Sequence, residues 1–251
     1  MKVIAITNQK GGVGKSTTAA AVGAGLINRG YKTLFIDMDA QGNLTYTIGA
    51  CIKNTSNVFL ALQNTNDIKN MIQKTSEGDI LGSTPELAMA DNVITQTGKE
   101  YRLKEALELI KNNYDYCIVD TPPSLGIVTV NALTACTDVI IPTQADIYSL
   151  QGIKQLSNTM EAVKKYCNPD LKIMGIVLTR FNKRSIIRRE VAEMLEGIAE
   201  GLNTKLFKSR IRECTALVEA QAIQKNIFAY APKSNATADY NSLLEEILKG
   251  R

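Results

Sequence analysis

Three glycines, two lysines and two hydroxyls fall within the eight residues Lys10-Gly11-Gly12-Val13-Gly14-Lys15-Ser16-Thr17. Those residue types at that spacing can cradle a phosphate. Glycines without Cβ atoms let backbone N–H groups converge on an anion. A helix that starts there adds roughly half a positive charge. Lys15 supplies a full charge for β/γ-phosphates, and the Ser16 hydroxyl is a hard oxygen ligand for Mg²⁺. The expected nucleotide-binding set is Gly11, Gly12, Val13, Gly14, Lys15, Ser16 and Thr17. The strict P-loop pattern would place glycine at position 9, where this chain has Gln9, and a second lysine, Lys10, stands ahead of the double glycine. A dinucleotide fingerprint is the nearer rival: Gly12-x-Gly14 begins one, but Thr17 occupies the position that wants Gly or Ala.

Carboxylates come next. Phe35-Ile36-Asp37-Met38-Asp39-Ala40-Gln41-Gly42-Asn43 and Tyr116-Cys117-Ile118-Val119-Asp120-Thr121-Pro122-Pro123 each carry an apolar run into aspartate. Alone, such an aspartate is more often a helix cap or turn former. Beside a phosphate loop, Asp37 and Asp120 become candidates for holding Mg²⁺ through water, with Ser16 the third metal group, because this ion keeps part of its hydration shell.

The elements that must position these groups alternate. Apolar runs Val3–Thr7, Thr33–Asp37, Tyr116–Asp120, Asp138–Pro142 and Lys172–Thr179 are nearly continuous, the pattern of strands buried on both faces. Helical patterns cover Ser16–Arg29, Lys99–Asn112, Gly126–Ala135, Ser149–Tyr166, Ser185–Gly197 and Ala236–Leu248. Two short helices and a strand at Asp79–Gly82 are expected between Asn43 and Ile94. The alternation predicts a doubly wound, mostly parallel α/β sheet with helices on both faces. Nothing in the 251 residues marks a linker or repeat, so the chain reads as one domain, 1–251. Met1 leads straight into a strand and no apolar stretch approaches 18 residues, which predicts a soluble, intracellular protein.

Five cysteines (51, 117, 136, 167, 214) lack a Cys-x-x-Cys spacing and read as reduced thiols. Histidine is absent, which removes His-based triads and imidazole bases. Any chemistry must run on carboxylates, lysines and a metal. The charge is uneven: residues 168–251 carry 14 Lys/Arg against 10 Asp/Glu, while the rest balances at 15 each. Arg184, Arg188, Arg189, Lys205, Lys208, Arg210 and Arg212 are the candidate DNA-phosphate contacts. A solvated helix face is the plainer reading. With no Trp and few aromatics, duplex binding without base readout is favoured over stacking on single strands.

The two-lysine loop, the Asp-x-Asp-x-Gln-Gly-Asn segment and Val-Asp-Thr-Pro-Pro together resemble the ParA/Soj/MinD group of deviant Walker ATPases. Ala231-Pro232-Lys233-Ser234 and Asp239-Tyr240 resemble the ParA tail in particular. The resemblance implies an ATP- and Mg²⁺-dependent sandwich homodimer that hydrolyses ATP slowly until a partner and DNA stimulate it. Lys10 would reach the other subunit's nucleotide, Asp39 would orient the attacking water, and Lys15 would act on the phosphates. It further implies binding to nonspecific duplex DNA, a ParB-like centromere-binding partner, and a cytoplasmic, nucleoid-associated protein that partitions plasmid or chromosomal DNA. The family's base-pocket loop corresponds to Phe207–Cys214, which makes Lys208 and Arg210 nucleotide candidates, although both family prolines are missing. Because the sequence opens at its first strand, a small member without the winged-helix segment for operator binding is expected. The competing classes are a MinD-like membrane-cycling ATPase, which needs a basic amphipathic tail, a reductase of the nitrogenase iron-protein type using Cys117 or Cys136, and a P-loop kinase.

Overall fold

The central strands are buried on both faces, and their consecutive residues feed opposite cores. Val3, Ala5, Leu34, Ile36, Cys117 and Val119 join one apolar cluster. Ile4, Ile6, Phe35 and Ile118 join the other. That is why the strands read as unbroken apolar runs. The computed structural model describes residues 1–51, 55–182 and 186–249. Within these the order is β1 (Lys2–Ile6), α1 (Lys15–Ile27), β2 (Thr33–Asp37), α2 (Asn43–Thr47), α3 (Val58–Gln63), α4 (Ile68–Met71), β3 (Gln73–Thr75), β4 (Gly78–Leu81), α5 (Ala90–Val93) and α6 (Arg102–Glu108). It continues with β5 (Tyr116–Asp120), α7 (Ile127–Ala135), β6 (Asp138–Thr143), α8 (Ile147–Tyr166), β7 (Lys172–Phe181), α9 (Ile186–Gly201), β8 (Leu206–Arg212), α10 (Thr215–Ala222), α11 (Ile227–Tyr230) and α12 (Asn235–Lys249).

One eight-stranded sheet runs in the order β3-β4-β2-β5-β1-β6-β7-β8. Every pairing is parallel except β3 with β4. The doubly wound α/β expectation therefore holds. Register decides the rest: Asp37 lies opposite Asp120, and Ile6 opposite Asp120 on the other side. Two carboxylates and the loop leaving β1 thus meet at the carboxyl edge of the sheet, where ligands of open α/β folds bind.

Several expected elements need correction. The Lys99–Asn112 helix is a 3₁₀ turn, Lys99–Tyr101, followed by α6 only to Glu108. Helix α8 starts at Ile147, two residues before Ser149, because the Asp146 side chain caps it by accepting from the Ser149 amide at 3.1 Å. Among the described residues, the 43–94 stretch holds four short helices and the β3–β4 hairpin. Phe207–Cys214 is largely strand, not loop. Strand β8 alternates buried Phe207 and Ile211 with exposed or part-exposed Lys208, Arg210 and Arg212. Edge strands alternate in this way, so a search for continuous apolar runs passes over it. Its amides are met by α12: Lys208 and Ser209 donate to Glu246 at 3.0 and 2.7 Å, and Arg212 donates to Asp239 at 2.9 Å.

Candidate nucleotide and metal site

The loop after β1 turns on two glycines in the left-handed region, Gly12 (φ +74°) and Gly14 (φ +83°). A side chain at either would be strained, and Gly14 opens α1 by accepting from the Thr18 amide at 2.9 Å. The loop is braced from behind by the ends of β6 and β7. The Thr179 hydroxyl donates to Val13 O at 2.8 Å, Gln144 Nε2 donates to Gly12 O at 3.0 Å, and Asn8 Nδ2 donates to Pro142 O at 2.8 Å. Lys15 is buried and donates to the Lys10 carbonyl at 3.3 Å. Burial lowers its pKa, while the Asp120 and Asp39 charges hold it up. The ammonium is thus already surrendered by water and aimed into the loop, which suits a phosphate.

Asp37 has no exposed surface and is fixed by three donors: the Thr45 amide and hydroxyl, both at 2.7 Å, and the Asp39 amide at 3.0 Å. Burial nonetheless pushes its pKa up to about 6 against the Thr45 bonds. Asp120 is equally buried, and neither of its carboxylate oxygens has a hydrogen-bond partner among the described residues. Burial, then the neighbouring Asp37, drives its pKa well above the usual carboxylate range; the Ser16 hydroxyl and Lys15 oppose the shift. An orphaned buried carboxylate beside a second one is costly. A hard divalent cation relieves both, so the residues present fit Mg²⁺, with Ser16, Asp37 and Asp120 the groups that would hold it. Among the described residues no three Asp, Glu, Cys or His side chains converge as a direct ligand set. Asp39 stands at the mouth, half-buried, accepting from the Gln41 amide at 3.0 Å.

Lys10 turns away from this cradle. Its Nζ pairs with Asp146 Oδ2 at 2.5 Å, at the N-cap of α8. Burial works against the Asp146 charge, yet the Lys10 and Ser149 hydrogen bonds outweigh it and hold the carboxyl below its ordinary range. Two lysines separated by five positions therefore serve different places, one inside the loop and one beside it.

A cleft of about 220 Å³ opens next to the loop between Gly14, Thr17, Thr179, Arg180, the Ile211–Thr215 turn and α10. Lys208 and Arg210 are not on the wall of this cleft. The strand carries them off, and Arg210 pairs with Glu196 on α9 at 3.6 Å. A larger hollow, about 820 Å³ between Gly49 and Lys225, contains none of the loop or its carboxylates. The basic candidates divide. Arg184 lies outside the described residues. Arg189, Lys205 and Lys208 are exposed, and the Lys205 ammonium rests 5.0 Å over the Phe207 ring. Arg188 donates to the Arg180 carbonyl at 2.6 Å. Arg210 and Arg212 are already engaged by carboxylates, Arg212 by both oxygens of Asp239 at 2.6 and 2.9 Å. These pairs hold β8 against α9 and α12.

Thr45, Thr179, Gln144, Asp146 and Gln221 were not legible as site residues. Gln221 donates to the Thr17 hydroxyl at 3.0 Å and fastens α10 to the first turn of α1. The only local signal among them was Thr45, two residues past the Asp-x-Asp-x-Gln-Gly-Asn segment.

A phosphate-cradling loop, a buried lysine, two carboxylates on adjacent strands and a parallel sheet define a P-loop nucleotide-binding protein of the two-lysine kind. The family profile described as an AAA domain matches residues 1–173. The chain is 40% identical over 250 residues to the sporulation initiation inhibitor protein Soj of Bacillus subtilis, covering 98% of each. A putative plasmid partition protein from Borrelia burgdorferi, solved with AMPPNP bound, superposes with a TM-score of 0.83 at 28% identity, covering 100% of this chain and 99% of that one. A Mycobacterium smegmatis structure described as cobyrinic acid a,c-diamide synthase, with bound ADP and magnesium, gives 0.85 at 32% identity, covering 100% and 96%. The chain belongs to the ParA/Soj family of partition ATPases.

Proposed function

We propose that this chain is a single-domain, ATP-driven partition switch: it binds ATP with Mg²⁺, dimerises, holds nonspecific duplex DNA and hydrolyses ATP when a ParB-like partner engages it. The observation that carries this reading is the division of labour between the lysines. Lys15 is buried in its own phosphate loop, while Lys10 is held outside that loop by Asp146. A cation parked beside the phosphates can be lent to a second copy's nucleotide, as an arginine finger is. Asp39, at the mouth, orients the attacking water. Hydrolysis then waits on dimerisation, and the charge on the ATP dimer is doubled over the exposed Arg189, Lys205 and Lys208. The Ile211–Thr215 turn and α10, rather than Lys208 and Arg210, flank the base. The protein works in the cytoplasm, on the nucleoid.

The membrane-cycling alternative would need the apolar face of α12 to be free. Tyr240, Leu243, Leu244 and Ile247 of α12 are buried in the core, and among the described residues no helix is long and apolar enough to cross a membrane. Cys117 and Cys136 are buried in the opposite core, away from any surface that could bridge a cluster. Retention of the chain on random-sequence duplex DNA in ATP, ADP and no nucleotide tests the reading. Retention only with ATP is expected; equal retention in all three states refutes the switch.

A further inference from the structure

Arg188 and Arg189 are neighbours in the first turn of α9, the two cations of a helix that otherwise carries glutamates, yet the structure treats them differently. Arg189 is exposed, whereas Arg188 is half-buried and turns back to donate to the carbonyl of Arg180 at 2.6 Å. Arg180 is the penultimate residue of β7, has a left-handed backbone (φ +47°) and lines the cleft beside Gly14 and Thr17. Among the described residues three non-glycines have positive φ, and Arg180 alone of them lines this cleft. A side-chain-bearing residue persists in that conformation only where its surroundings over-determine it. The surroundings here are its two flanks. On one side Thr179, the preceding residue, bonds the Val13 carbonyl of the phosphate loop at 2.8 Å. On the other, Arg188 bonds Arg180 itself. The first turn of α9 is therefore two hydrogen bonds and one peptide unit away from the phosphate loop.

We propose that Arg188 is a positioning residue that ties the first turn of α9 to the nucleotide cleft, so that occupancy of the cleft and DNA binding at that turn are energetically linked. A nucleotide filling the cleft presses on the segment whose backbone Arg188 holds. DNA drawing α9 outward pulls on the same carbonyl. By linkage the effect is reciprocal: DNA changes nucleotide affinity by the factor by which nucleotide changes DNA affinity. The DNA half of this statement rests on the proposed function; the tie between Arg188 and the cleft does not.

The test compares Arg188→Ala with Arg189→Ala, each of which removes one charge from the same helix. Release of a fluorescent ATP analogue from the full chain is followed by stopped flow without DNA. Arg188→Ala is expected to release about three- to ten-fold faster than wild type, and Arg189→Ala within two-fold of it. Arg188→Lys keeps the charge on a shorter side chain and falls between, which covers the case of an unfolded Arg188→Ala. In a second arm, analogue affinity is measured without duplex and with random duplex at saturation: the DNA-induced change is lost in Arg188→Ala and kept in Arg189→Ala, which needs more duplex to reach it. Release within two-fold of wild type in both variants at 188, or equal behaviour of Arg188→Ala and Arg189→Ala, overturns the proposal. A wild-type chain that ignores DNA removes the proposed function instead, and the release rates still decide the tie.

Discussion

Replacing Thr45 with valine keeps the branched shape of a buried side chain and removes one hydroxyl, so its cost can be worked from named bonds. That hydroxyl donates to Asp37 Oδ2 at 2.7 Å and accepts from the Ser83 amide at 2.9 Å. A hydrogen bond to a charged group contributes about 1.5–3 kcal/mol, and a buried amide left without a partner costs about 1–3 kcal/mol. Ser83 is 1% exposed, so water cannot replace the lost acceptor. At pH 8 without metal or nucleotide, Thr45→Val should therefore lose about 3–5 kcal/mol. Asp37 adds a pH dependence. Its native pKa of about 6 lies above the ordinary carboxylate value of about 3.9, so its contribution to stability is fully present below about pH 4 and is lost as pH rises through 6. At pH 5 the native carboxyl is mostly protonated, the lost bond is one between neutral groups worth about 1 kcal/mol, and the deficit should shrink to about 2–3 kcal/mol. Urea unfolding followed by circular dichroism at pH 5 and pH 8, in EDTA, reads both numbers. A deficit under 1 kcal/mol at pH 8, or one that does not change with pH, refutes the reasoning.

Lys15→Ala should lower ATP affinity at least about a hundredfold, because it removes a desolvated charge facing the phosphates; unchanged affinity by isothermal titration would remove the cradle assignment. Asp39→Ala should bind ATP and accumulate as a dimer in sedimentation velocity, whereas Lys10→Ala should lose hydrolysis; a monomeric Asp39→Ala counts against the sandwich. Asp146→Asn keeps an equally good helix cap but breaks the ion pair, so ATP-dependent dimer should form several-fold more readily at low salt, an effect that vanishes at high salt. Lys208→Ala should weaken binding to all duplex sequences alike and reduce the slope of log K against log[salt] by about one, read by fluorescence anisotropy.

The phosphate loop and both aspartates were readable because their chemistry is local: glycines, lysine and hydroxyl must be adjacent in sequence to be adjacent in space. Strands β2 and β5 fall at the expected Thr33–Asp37 and Tyr116–Asp120, since a strand covered on both faces has one unmistakable composition. The bracing was not readable. Thr179, Gln144 and Asp146 act on the loop from more than a hundred residues away, and only the order of strands brings them there. Strand β8 was lost for a different reason, its alternation of Phe207 and Ile211 with basic residues, which looks like the surface it half belongs to.

The carboxylates of Glu246 and Asp239 on the outer amides of β8 impose an order on biosynthesis. As the chain leaves the ribosome, seven strands and then β8 are available before α12 exists. In that interval Lys208, Ser209 and Arg212 offer open donors along a parallel edge, a template for another nascent chain. Only when α12 emerges and buries Tyr240, Leu243 and Leu244 is that edge closed. A chain cut before Asn235 would keep its phosphate loop and both aspartates, and yet leave those three donors open.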